Sequence, residues 1–324
     1  MAFMEVFMMV TKKAKLTIAA LIIGAAACAL IAVPSLFTSK SSVKPDEKQV
    51  AEKQDSAKKK SSTKKKSSTK KKSSTKKKSS AKKKATVRKT GEMSEDDVYL
   101  CENGMLEEIQ AALEDGTLKI TDKDDIGDTA LLLASASNPY PEVIRELIKA
   151  GGNVNLRNNE GTTPLLAAAA FNQDLDVITA LLNSGARPND RLSDGRTVLM
   201  CAAEVTSDPN VIKALVKAGA KVNNKGLDGK TALMHAASNA QNPDVIKALV
   251  EVGADINKRD DTGMSPLMFA ASDNVNPEIV STLLKLGANP KTRAANGRMA
   301  IDFAQKNDFL KGTDAYRKLN EVSL

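Results

Sequence analysis

Residues able to do chemistry are few in this chain of 324 residues, and they stand apart. Gly229-Lys230-Thr231 has the ending of a phosphate-cradling loop, in which backbone amides and a lysine hold phosphates and a hydroxyl holds a metal ion. Such a loop needs a glycine five residues before Gly229 and a buried strand ahead of it, and Asn224 stands there instead. His235 is the only histidine, so a relay of nucleophile, imidazole and acid depends on it alone, and its neighbours Met234 and Ala236 offer neither base nor orienting acid. Cys28, Cys101 and Cys201 lie too far apart for a disulfide framework or a C-x-x-C motif and read as small apolar residues. No thiolate, imidazole and carboxylate set has metal-ligand spacing. No catalytic residue, cofactor or metal is expected, and the chain does not read as an enzyme.

The elements that carry these residues explain their positions. Gly127, Gly161, Gly195, Gly229, Gly263 and Gly297 recur every 34 residues, each opening a copy of G-x-T-x-L-x-x-A, with Gly297 opening a worn sixth. A fixed period of this size means one small unit stacked on itself. Gly229-Lys230-Thr231 is then the turn that begins a unit, and His235 is one member of a row with Leu133, Ala167, Cys201 and Phe269.

Within each unit, Thr129, Thr163, Thr197, Thr231 and Ser265 precede a short apolar run, where a hydroxyl can cap a helix, and Pro164 and Pro266 fit the first helical position. Leu131, Leu165, Leu199, Leu233, Leu267 and Ile301 recur in that run, each with alanine three residues on. Large and small residues three apart on one face let neighbouring helices interlock. A second helix is announced by Pro141, Pro209, Pro243 and Pro277, in three copies preceded by Asp208, Asn242 or Asn276 as caps. Its apolar face has the form V-I-x-x-L, and Gly151, Gly185, Gly219, Gly253 and Gly287 close it in left-handed geometry.

The pattern G-x-T-P-L-x-x-A-A followed by V-I-x-x-L-L-x-x-G-A-x-V-N resembles the ankyrin repeat, over residues 94–324. The resemblance implies an all-α solenoid of helix pairs with projecting loops. The period of 34 exceeds the family's usual 33, the extra residue falling in the turn between helices. Leu132, Leu166, Met200, Met234 and Met268 replace the family's usual histidine, so that histidine's hydrogen bonds are not expected. Residues 94–126 are expected to form an acidic N-terminal cap with Leu106, Ile109 and Leu113 turned inward. Residues 127–296 make five repeats, and residues 297–324 a C-terminal cap in which Tyr316 and Leu319 cover the last unit. By the same resemblance, the first helices and loop tips form the surface for a protein partner. Leu133, Cys201, His235 and Phe269, with Arg196, Lys230, Met264 and Arg298 just after the glycines, would line it, unless the row is core. Recognition without catalysis is the implied function.

Charge divides the chain. Residues 1–93 hold 24 Lys or Arg against 6 Asp or Glu, a balance of +18, and residues 94–324 hold 24 against 33, a balance of −9. Residues 16–37 run 22 positions without a charge behind Lys12, Lys13 and Lys15, long enough to cross a bilayer at about 1.5 Å per residue. An uncleaved anchor, a cleaved secretory signal and lipidation at Cys28 all fit. The basic residues flanking the span allow a cytoplasmic array, while export places it outside, so a single-pass protein with periplasmic repeats is the expectation. Residues 38–93 carry the hexad KKKSST, whose like charges and lack of apolar residues predict a disordered linker. It serves as a spacer, as a contact for anionic lipid or wall polymer, or as a nonspecific nucleic-acid binder. The last is disfavoured, since the lysine block has neither arginine nor interleaved aromatics. Adhesion through this tail is the rival to recognition by the repeats.

Overall fold

A computed structural model of the protein describes residues 91–324. The apolar span at 16–37 and the lysine hexads lie outside the described residues. Among those described, no β-strand forms beyond isolated bridges such as Arg191–Thr197, and no helix is long and apolar enough to cross a membrane.

Each unit builds two short antiparallel helices, as its sequence directs. The acidic cap gives α1 (Glu95–Asn103) and α2 (Leu106–Glu114). Ile109 is fully buried and Leu106 and Leu113 half-buried. The repeats follow as α3 (Ala130–Ser137) and α4 (Pro141–Lys149), then α5 (Pro164–Ala167) and α6 (Leu175–Asn183), then α7 (Val198–Val205) and α8 (Pro209–Lys217). Then come α9 (Ala232–Asn239) and α10 (Pro243–Glu251), and α11 (Pro266–Asp273) and α12 (Pro277–Lys285). The last unit gives α13 (Ala300–Ala304) and α14 (Asp314–Ser323), where Leu319 is buried and Tyr316 half-buried. First helices pack on first helices and second on second, so each unit's core is completed by its neighbours.

The recurrent leucines of the first helices are at most 1 % exposed, Ile301 is 6 % exposed, and the alanines three residues on are fully buried. A helix flanked by partners on both sides has no room for a larger residue there. In the second helices, Val143, Ile144 and Leu147 and their equivalents through Ile279, Val280 and Leu283 are fully buried on one face. Each such side chain contributes about 1.5–3 kcal/mol, much of it gained against the next unit. These helices end at glycines such as Gly219 (φ 99°), and the following N–H of Ala220 reaches back to the Leu215 carbonyl at 3.0 Å.

The expected hydroxyl caps form at Thr163 and Thr197, which accept the N–H of Leu166 and Met200 at 3.3 Å. Thr129 makes no such bond, and the buried hydroxyls of Thr231 and Ser265 have no partner. A second contact holds these helix starts: the backbone N–H of Thr197, Thr231 and Ser265 donates to the sulfur of Met200, Met234 and Met268 at 3.4 to 3.5 Å. Methionine, a weak acceptor, thus makes a hydrogen bond where the family's usual histidine would stand.

The loops are joined by a ladder. Asn155, Asn189, Asn223 and Asn257 each donate from Nδ2 to the helix-ending glycine carbonyl of the next unit, at 2.8 to 3.4 Å. Their Oδ1 atoms accept the N–H two residues beyond that glycine, at 2.8 to 3.1 Å. Arg157, Arg191 and Arg259 form a second set of rungs, each binding a carbonyl of its own turn and one 34 residues on.

Candidate recognition site on the first helices

Gly229-Lys230-Thr231 is a turn laid against its neighbour. Gly229 has φ 75°, and a Cβ there would lie 2.7 Å from the backbone nitrogen of Asp261, so only glycine fits.

Five of the eight residues expected to meet a partner gather around this turn and the one before it. Arg196 is gripped by two carboxylates: its Nε lies 2.7 Å from Asp194 and its Nη1 3.0 Å from Glu204. The same Glu204 oxygen is 3.6 Å from Nδ1 of His235, one repeat on. Lys230 Nζ sits 3.3 Å from Asp228 and 5.2 Å from the ring centre of Phe269, in the repeat after that. Cys201 shares this field, since Arg196 opposes the effect of burial on its thiol. None of these ion pairs reaches Leu133, Met264 or Arg298.

The row of first-helix residues is largely core. Leu133 is 6 % exposed, Cys201 2 %, His235 9 % and Phe269 5 %. Packing between first helices on either side covers them, so they have little surface to offer. The members with solvent access are Arg196, Lys230 and Met264, all half-buried, and Arg298, which is exposed. His235 has an acid beside it after all, supplied by the preceding repeat rather than by its own neighbours. Asp194 and Asp228 were missed in the sequence; their signal is an acid two residues before a cation, where each Oδ1 accepts that residue's N–H at 3.0 or 3.1 Å. Glu204 carried a weaker signal, lying one helical turn past the residue that is His235 in the next unit.

The electrostatics of the cluster follow from burial and from its charged neighbours. Burial pushes the Cys201 thiol up to about 12, so at neutral pH it is no thiolate nucleophile. Burial also lowers the His235 pKa, against the pull of Glu204 and Asp228 and with the push of Lys230 and Arg196. Burial opposes the charge on Asp228, but the Lys230 N–H and the Lys230 charge outweigh it and hold this carboxyl below its ordinary value. Among the described residues no group of His, Cys, Asp and Glu is arranged to hold a metal ion. What the cluster provides is a set of pre-oriented cations and one aromatic edge spread over three repeats.

Compared with known protein families, the chain matches ankyrin repeats, described in three copies, over residues 98–191, 166–260, 199–294 and 241–312. The chain belongs to the ankyrin-repeat family. Ankyrin repeats are protein-interaction modules. A search among curated proteins finds no match to this ankyrin-repeat chain.

Proposed function

We propose that this ankyrin array recognises a protein without catalysis, through the first-helix face of repeats beginning at Gly195, Gly229, Gly263 and Gly297. Arg196, Lys230, Met264 and Arg298 make the contacts, while Cys201, His235 and Phe269 support them from beneath and Leu133, two repeats away, belongs to the core. One observation carries this reading: Arg196, Glu204 and His235 bridge two repeats and Lys230 reaches Phe269 in a third, so the polar side chains are fixed before a partner arrives. Preorganised side chains lose less entropy on binding. In this reading residues 16–37 anchor the chain in a membrane, the lysine-rich linker spaces the array from it, and the repeats face the periplasm. The apolar run and its flanking lysines support the anchor, and the hexads support the spacer.

The test uses the full chain in intact cells, cross-linked with its neighbours, beside variants Lys230→Glu and Arg298→Glu. A captured protein lost from both variants supports the reading. A captured set unchanged by either variant, or lost only when the lysine hexads are replaced, overturns it in favour of the tail. Protease added outside permeabilised outer membranes checks the topology, since cleavage of the repeats is expected only on that side.

A further inference from the structure

The repeat beginning at Gly161 departs from the others where its first helix ends. In the neighbouring repeats the closing bond runs four residues back, as from the N–H of Thr206 to Ala202 at 2.8 Å. Here α5 runs into a π-helical turn, Ala168–Asn172, and the N–H of Gln173 bonds Ala168 five residues back at 2.8 Å. Gln173 takes φ 61°, the left-handed conformation found at no other non-glycine among the described residues. Leu175 stands where four other copies have proline, and Asn172 ties the turn to the preceding repeat through the Asn138 carbonyl at 2.9 Å.

That turn displays Phe171, 46 % exposed. Val205 holds the same place in the next repeat and is 40 % exposed, and the segments that carry the two pack on each other. Around them the surface is acidic. Glu142, Asp174, Asp176 and Asp208 lie at the starts of the three adjoining second helices, and residues 161–186 contain no Lys or Arg. Four carboxylates outweigh three helix N-termini of roughly +0.5 each beside an exposed aromatic ring, with Arg145 and Lys213 standing further along two of these helices. The Arg196 to Arg298 face is different ground, since its cations lie on the glycine turns at the other end of the first helices.

We propose that this end of repeats 1–3 is a second contact surface, fitting a partner segment that presents one large apolar side chain flanked by lysine or arginine. The ring and Val205 receive the apolar group, and the acidic rim selects for cations at its sides and disfavours acidic segments. The proposal rests on the reading that the array binds protein, and it names the chemistry of what binds here.

The test selects a random peptide display library on the immobilised full chain, with a soluble peptide of the KKKSST hexad sequence as competitor so that binders of the lysine tail are removed. Peptides with Phe, Leu, Met or Trp between Lys or Arg are expected, weakened at least tenfold by Phe171→Ser and retained by Phe171→Leu. Asp174→Asn with Asp208→Asn should weaken them several-fold without loss of folding, because asparagine caps a helix as well as aspartate. Thermal melting of each variant confirms that the fold persists. Peptides that survive Phe171→Ser but are lost on Lys230→Glu or Arg298→Glu overturn this proposal and leave the broader reading standing. Enrichment of acidic peptides, or of none that depends on the array, overturns it as well, and the latter counts against both.

Discussion

Replacing His235 with leucine should make the protein more stable. The imidazole is 9 % exposed, its Nε2 is buried with no hydrogen-bond partner, and Nδ1 is 3.6 Å from Glu204, longer than a good hydrogen bond. An unsatisfied buried polar atom costs about 1–3 kcal/mol, and the equivalent positions already bury Leu133, Cys201 and Phe269 without strain on the repeat. Glu204 keeps Arg196 at 3.0 Å, so the substitution leaves no buried charge alone. A gain of that size corresponds to roughly 2–10 °C in melting midpoint for an array of this length. The pH dependence has a definite sign. Burial lowers the folded pKa below the ordinary 6.5, so the unfolded chain binds the proton first as pH falls. The contribution of His235 to stability is therefore full above about pH 6.5 and declines below it, and the advantage of His235→Leu should widen from pH 7.5 to pH 5. Denaturant unfolding followed by circular dichroism at several pH values measures both. A variant less stable at every pH, or a gap that stays constant on acidification, would mean that Nε2 is satisfied in solution and would refute the reasoning.

Asp128 should respond to pH with the opposite sign. Burial raises its pKa from 3.8 to about 6 despite a 2.7 Å hydrogen bond from Asn158, so folding loses stability as pH rises through that range. Asp128→Asn, which still accepts from Asn158, should gain up to about 3 kcal/mol at pH 8 and nothing at pH 3.5, by the same unfolding assay. Asn223→Ala removes two rungs of the loop ladder, at 2.8 and 2.9 Å, and should cost about 1–2 kcal/mol. Faster amide exchange at Asp255 is the local readout. Cys101 and Cys201 are buried with thiols pushed up to about 12, so alkylation at pH 8 mapped by mass spectrometry should spare both until denaturant is added.

Much of the stack was legible because each unit repeats its own instructions. Leucines three residues before alanines, prolines at second-helix starts and glycines in left-handed geometry are local signals, and each fell where its chemistry requires. The hydroxyl caps show the limit of such signals: Thr163 and Thr197 have the expected bonds, whereas Thr231 and Ser265 share the pattern without them. The π turn at Ala168–Asn172 also hides from local reading, since its sequence AAAFN has ordinary helix propensity. Only the loss of proline at Leu175 marks that copy as different.

Contacts between units were harder to see, because the partners stand about 30 to 36 residues apart and no single helical window contains both. Glu204 and His235 illustrate how the period itself makes them readable. Subtracting 34 from His235 gives Cys201, and three residues on along the same helix, hence on the same face, is Glu204. The same subtraction pairs Asn223 with the glycine turn ending the next unit. It also shows where the ladder stops: the place that holds asparagine in four units is Lys291 in the fifth. The turns before Gly297 are pinned by Arg259 and Arg293 but lack an asparagine rung of their own to pass on. Arg298 therefore projects from a less restrained loop than Arg196, whose guanidinium is clamped by two carboxylates. Under the proposed function, a face with a rigid end and a yielding end would meet a partner in sequence, Arg196 and Lys230 setting the register and Arg298 adapting to what has already docked. On that ordering, loss of Lys230 should both slow association and speed dissociation of the captured partner, whereas loss of Arg298 should show mainly as faster dissociation, as binding kinetics would measure.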